Sequence, residues 1–166
     1  LLMLSESMDS MTGAYNRKAG LEELEKLLAS SNPSESHCIA FIDIDGLKAI
    51  NDDYGHGEGD FVIKQIARLM LGSVRDADVI CRYGGDEFLI LFKRCSEDAA
   101  NGAVLRMYEK LEVLNSQISK PYVLSFSQGI VTFTAGSGQT VTDLLAVADK
   151  RMYKNKMKQR KKPGNP

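Results

Sequence analysis

The residues in this chain best suited to chemistry are carboxylates set against apolar runs. Asp43 and Asp45 follow Cys38-Ile39-Ala40-Phe41-Ile42, and Asp86 and Glu87 follow the glycine pair Gly84-Gly85, between Val79-Ile80-Cys81 and Phe88-Leu89-Ile90-Leu91-Phe92. Carboxylate oxygens are hard ligands of the kind Mg²⁺ takes. Glycines, lacking Cβ, let a ligand approach the backbone closely. Together they point to a nucleotide and metal site; the alternative is an ordinary surface turn, where Gly and Asp are common. Alternation along a strand puts Asp43 and Asp45 on one side and Ile44 on the other, which does not make both carboxylates ligands of one ion.

These groups need elements to position them. The runs flanking Gly84-Gly85 have the length and the β-branched and aromatic content of strands, and a glycine pair accepts positive φ at a tight turn, so the stretch reads as a β-hairpin. Cys38–Ile42 reads as a strand buried on both faces. Leu21, Leu24, Leu27 and Leu28 recur at helical spacing and predict an amphipathic helix that ends before Ser30-Ser31-Asn32-Pro33. The spacing predicts further helices over about 60–71, with Asp60 a candidate N-cap, over about 97–114 and over 141–159. Tyr122–Phe133 reads as a long strand bent near Gly129. Lys154, Lys156, Lys158, Arg160, Lys161 and Lys162 suit the negative pole of the last helix. The order helix, strand, helix, hairpin, helix, strand, helix predicts an α+β domain whose central, mainly antiparallel sheet carries helices on its faces.

The 166 residues fit one domain with a sizeable core. Three cysteines, Cys38, Cys81 and Cys95, lie in or beside apolar runs without CxxC spacing, which predicts reduced thiols and no zinc site. A net charge of −1 argues against a general nucleic-acid binder. No apolar run approaches the roughly 18 residues of a membrane span, and no signal peptide is visible. The chain starts at Leu1, which predicts a piece of a longer protein: residues 1–11 the end of a connecting segment, 12–162 the domain and 163–166 a tail.

Arg82-Tyr83-Gly84-Gly85-Asp86-Glu87-Phe88 resembles the signature of the GGDEF family, the diguanylate cyclases, at all seven positions. Asp9–Lys18 resembles the family's opening motif DxLTGLxNRR. Asp43–Asp60 resembles DxDxFKxxNDxxGHxxGD, with Leu47 for the usual Phe. The last helix resembles AKxxGRN at Lys156 and Arg160, with Gln159 for Gly and Lys161 for Asn, and Gln128 stands where the family usually has Ile. The resemblance implies a palm-type, ferredoxin-like nucleotide cyclase fold and the condensation of two GTP into cyclic di-GMP with release of pyrophosphate. It implies two Mg²⁺ or Mn²⁺ ions held by Asp43, the Ile44 carbonyl and Asp86, with Asp86 or Glu87 taking the proton. Arg82, Lys156 and Arg160 would meet phosphate charge, Gly84 and Gly85 would leave room for it, and Lys48 would touch a phosphate. Asn51 and Asp60 would read guanine, whose donor edge adenine lacks. Arg75 and Asp78, with Arg106, would form an inhibitory product site. The resemblance also implies a homodimer, an upstream sensory or regulatory domain, and a cytoplasmic location with a membrane anchor possible elsewhere in the full-length protein. A rival function is a silent GTP or cyclic di-GMP receptor module. Asp43-Ile44-Asp45-Gly46 also resembles the opening of haloacid-dehalogenase phosphatases, but the later acidic pair those enzymes need is not found.

Overall fold

In the computed structural model, which describes residues 6–30 and 32–160, the elements run α1 (Arg17–Leu28), β1 (Ser36–Ile44), α2 (Leu47–Tyr54), α3 (His56–Leu71), β2 (Val79–Arg82), β3 (Glu87–Phe92), α4 (Glu97–Gln117), β4 (Phe126–Thr134) and α5 (Val141–Arg160). The expected tail at 163–166, the lysines Lys161 and Lys162 before it, and residues 1–5 of the expected connecting segment lie outside the described residues. The four strands pair antiparallel in the order β2-β3-β1-β4. With helices between β1 and β2 and between β3 and β4, this is the ferredoxin-like arrangement that the resemblance implied.

Strand β1 takes the centre because its apolar run fits burial on both faces. On one face Ile42, Ile44, Phe88, Ile90 and Phe126 pack with Val62, Ile66 and Met70 of α3 and Met107 of α4. On the other, Ile39, Phe41, Leu89 and Val131 pack with Leu24 of α1 and with Leu144, Ala148 and Met152 of α5. Cys38 and Cys81 are buried and all three cysteines are free, with burial pushing the Cys81 thiol up to about 12.

The local structure differs from the sequence reading in four places. Helix α2 was not expected: at eight residues, with only Leu47 and Ile50 buried, it is too short for periodicity to reveal. Helix α3 begins at His56 with Gly55 at its N-cap, so Asp60 lies a turn inside the helix and does not cap it. The β2–β3 connection is the four-residue loop Tyr83–Asp86, in which the Tyr83 and Gly84 amides donate to the Glu87 carbonyl at 2.8 and 3.2 Å. Four residues close the hairpin without a primed turn, and neither Gly84 nor Gly85 takes left-handed backbone. Finally, β4 starts at Phe126, later than the expected Tyr122, and its register with β1 runs without a bulge from Ser36↔Thr134 to Ile44↔Phe126. The preceding residues stay out of the ladder because the Asn115 side chain takes both the Leu124 N–H and the Leu124 carbonyl, each at 2.9 Å.

Gly129 serves close packing. A Cβ there would lie 2.2 Å from the Ala148 carbonyl oxygen and 2.4 Å from the Met152 nitrogen, backbone atoms of α5. Both sheet edges carry partners. Tyr15 bridges to Cys81 beside β2. At the β4 edge, Arg151 donates to the Ile130 carbonyl and Asn155 to the Gln128 carbonyl, each at 2.6 Å.

Gly129→Ala is expected to destabilise the fold by about 1–3 kcal/mol or more, since helix backbone has to shift. Gly85→Ala, where a Cβ meets nothing within 4 Å, should stay within about 0.5 kcal/mol. Urea titrations of the two variants check both values.

Candidate nucleotide and metal site

Three elements converge where β1 ends, β3 begins and α5 passes overhead. Strand pairing sets Asp43 opposite Glu87, and the Ile44 N–H donates to the Asp86 carbonyl at 2.9 Å. From α5, Lys156 Nζ reaches Asp43 Oδ2 at 2.7 Å and Asp45 Oδ1 at 3.9 Å, so both aspartates do lie on one side of the strand. The pair is sheltered, with the Lys156 and Asp43 side chains 17% and 14% exposed.

Asp43 Oδ1 is buried without a hydrogen-bond partner. Burial raises the Asp43 pKa, against the hydrogen bond and charge of Lys156, while Asp86 and Asp45 add to the rise. Glu87 is also raised, first by burial and then by the charges of Asp86 and Asp43. Gly84 stands against this carboxylate: a Cβ there would lie 2.3 Å from Glu87 Oε1. Crowded carboxylates with an orphaned, buried oxygen fit a divalent cation held by Asp43, Asp86 and a backbone carbonyl. Among the described residues no three His, Cys, Asp or Glu side chains converge as a metal cluster. Asp45 is differently employed, accepting from Ser125 Oγ at 2.7 Å and Ser127 Oγ at 2.8 Å. Sequence reading missed these two serines; their i, i+2 spacing at the start of a strand is the signal that could have shown them.

A cleft of about 700 Å³ opens beside this cluster, lined by Asp45, Gly46, Tyr122, Lys156, Gln159 and Arg160 among others, so Lys156 and Arg160 share one wall. Asn51 and Asp60 belong to the facing helices α2 and α3. Asn51 Oδ1 is buried and unpartnered. Its amide packs on Gly59, where a Cβ would meet that oxygen at 1.8 Å, and Asp60 follows directly. Lys48 lies exposed on α2. Arg82 does not point freely outward: it donates to the Gly85 carbonyl at 2.8 Å and pairs with Asp9 at 3.4 Å. It therefore clamps the Gly84–Asp86 loop to the opening turn.

At the other end of β2, Asp78 is 2% exposed at its side chain and holds Arg75 in a two-point pair, Nη2 to Oδ1 at 2.8 Å and Nε to Oδ2 at 3.2 Å. Lys93 N–H also donates to Asp78, and Arg75 donates to the Lys93 carbonyl. A second cleft, of about 290 Å³, brings Arg75, Asp78 and Arg106 together.

Solved structures of this architecture include the GGDEF domain of DgcB from Caulobacter crescentus in complex with c-di-GMP, which is 26% identical with a TM-score of 0.82 over 92% of this chain and 91% of that one. The fold is thus that of GGDEF domains. The chain belongs to that family: the diguanylate cyclase GGDEF domain matches residues 6–162. It is 36% identical to probable diguanylate cyclase DgcJ of Escherichia coli over 149 residues, covering 89% of this chain and 29% of that protein. It is 32% identical to the response regulator PleD of Caulobacter vibrioides over 157 residues, covering 89% of this chain and 33% of that protein. The chain spans a third or less of the length of these two relatives. No helix among the described residues is long and apolar enough to cross a membrane.

A carboxyl whose folded-state pKa is raised costs stability above the ordinary carboxylate range, and that cost fades as pH falls through it. Glu87→Gln should therefore melt at a higher temperature than the parent at pH 7.5, with the gain shrinking toward pH 4. Thermal melts across that range decide it.

Proposed function

We propose that this domain is a diguanylate cyclase that joins two GTP molecules into cyclic di-GMP and releases pyrophosphate. The observation that carries the reading is the Asp43 carboxylate, held on one oxygen by Lys156 and buried without a partner on the other, beside the Gly84–Glu87 loop. Asp43, the Ile44 carbonyl and Asp86 would hold two Mg²⁺ or Mn²⁺ ions, which when bound polarise the α-phosphate and lower the pKa of the attacking 3′-hydroxyl. Lys156 and Arg160, on one wall of the larger cleft, meet the triphosphate. Gly84 and Gly85 leave the loop without side chains where phosphate approaches. Asp86 or Glu87 accepts the proton; burial raises the Glu87 pKa, which suits proton acceptance. Arg82 positions the loop.

Asn51 and Asp60 read the base, the Asp accepting from the N1–H and N2–H₂ edge of guanine and the orphaned Asn51 oxygen accepting a further donor. Lys48 on α2 offers a phosphate contact. Each domain presents one such site and ring closure needs two opposed attacks, so two copies must face each other about a two-fold axis. The Arg75, Asp78 and Arg106 cleft takes product and restrains the hairpin that carries Asp86. In the full-length protein an upstream sensory or regulatory domain controls how the two copies meet.

Asp86→Ala is expected to reduce cyclic di-GMP formation by several orders of magnitude, assayed with GTP and Mg²⁺; retained turnover refutes the assignment. GTP should be used and ATP not, with Asp60→Ser relaxing the preference. Nucleotide binding without turnover, even in a forced dimer, would instead establish the receptor reading. Specific activity should rise with protein concentration, and a flat profile in a sample shown to be monomeric would refute the facing-dimer requirement.

A further inference from the structure

Among the described residues, Arg94 is the non-glycine residue with positive φ, at 48°. It sits in the short turn between β3 and α4, where left-handed backbone is uncommon for a long side chain and persists only when its surroundings impose it. The constraint comes from β1: the Arg94 N–H donates to His37 Nδ1 at 2.9 Å. His37 is 2% exposed and its ring lies 5.5 Å from that of Phe133. Because Nδ1 accepts, the neutral ring carries its proton on Nε2, which is buried and has no partner. The imidazole is thus fixed by packing and accepts its one hydrogen bond from this turn.

The turn is also the wall of the smaller cleft. Lys93, next to Arg94, supplies the N–H that Asp78 accepts and the carbonyl that Arg75 meets, and Arg94 lines the cleft with Arg75, Asp78 and Arg106. Arg75 and Asp78 neutralise each other in their two-point pair, so the further positive charge around the space comes from Arg106 and from Arg94. Arg94 has another partner, Glu35, at 3.4 Å, but its side chain is 78% exposed, and an ion pair so open to water is readily exchanged for a ligand anion. A guanidinium fork matches two oxygens of a phosphate.

We propose that Arg94 is a further ligand-binding residue of this cleft, taking a phosphodiester oxygen of a cyclic guanine dinucleotide, and that His37 is the positioning residue that aims it. The inference rests on the reading of the Arg75–Asp78 cleft as the product site. Arg94→Gly separates side chain from backbone, since glycine adopts the same φ without strain while the guanidinium is lost. In calorimetric titrations of the intact chain with cyclic di-GMP, Arg94→Gly should weaken binding about tenfold, the effect of one charge-assisted hydrogen bond. It should also flatten the salt dependence of binding, and leave initial GTP turnover unchanged. His37→Leu should weaken binding in the parent and not in the Arg94→Gly background, and His37→Asn, which keeps an acceptor near the Nδ1 position, should restore it. If the parent binds and Arg75→Ala abolishes binding, but Arg94→Gly binds as the parent does, the proposal is overturned and the product site stands. If the parent binds no cyclic di-GMP at micromolar concentration, the product-site reading falls and Arg94 falls with it.

Discussion

Lys156 and Asp43 are 113 residues apart in sequence and 2.7 Å apart in the fold, and the working end of the domain depends on that contact. Strand pairing alone would set Asp43 against Glu87, with Asp86 beside them, in a place sheltered enough to raise the pKa of both Asp43 and Glu87. Like charges in such a place oppose folding unless something of opposite sign is brought in. The only route for the lysine is α5, whose Leu144, Ala148 and Met152 are seated in the core and whose backbone comes down onto Gly129. A missing side chain in the middle of β4 therefore sets where a cation arrives at the end of β1.

Such dependence explains which parts of the molecule could be read from sequence. The central strand, both long helices α4 and α5, and the antiparallel hairpin were legible because each carries a continuous apolar run or a sustained period. Helix α2 was not, since eight residues with two buried positions leave no period to detect. The glycines misled in two ways: Gly84 and Gly129 looked like backbone-freedom residues, yet both are places where something else comes too close for a Cβ. At the candidate site the carboxylates and the Arg75–Asp78 pair were visible as motifs. Their partners were not: Ser125 and Ser127 on Asp45, and Asp9 on Arg82, are joined by the topology across 73 to 82 positions.

The Arg82 clamp gives the opening segment a direct mechanical relation to the loop. The Tyr15 N–H donates to the Ile80 carbonyl at 2.9 Å and the Arg82 N–H donates to the Tyr15 carbonyl at 2.8 Å, while the Arg82 guanidinium spans Asp9 and the Gly85 carbonyl. One rigid, planar group thus joins Asp9 to the carbonyl of Gly85. The opening turn is itself braced by Asp9, which accepts from both the Thr12 N–H and the Thr12 hydroxyl, at 3.0 and 2.7 Å.

The partners at the sheet edges have a bearing on how copies of this domain can meet. An open edge strand is a template for another chain, but here Tyr15 lies along β2, and Arg151 and Asn155 occupy outward carbonyls of β4. A strand added at β2 would have to displace Tyr15, and one added at β4 would find two carbonyls already taken. At the loop end and the helical faces, by contrast, contacts are made by side chains and can be formed and released without unzipping any main-chain ladder.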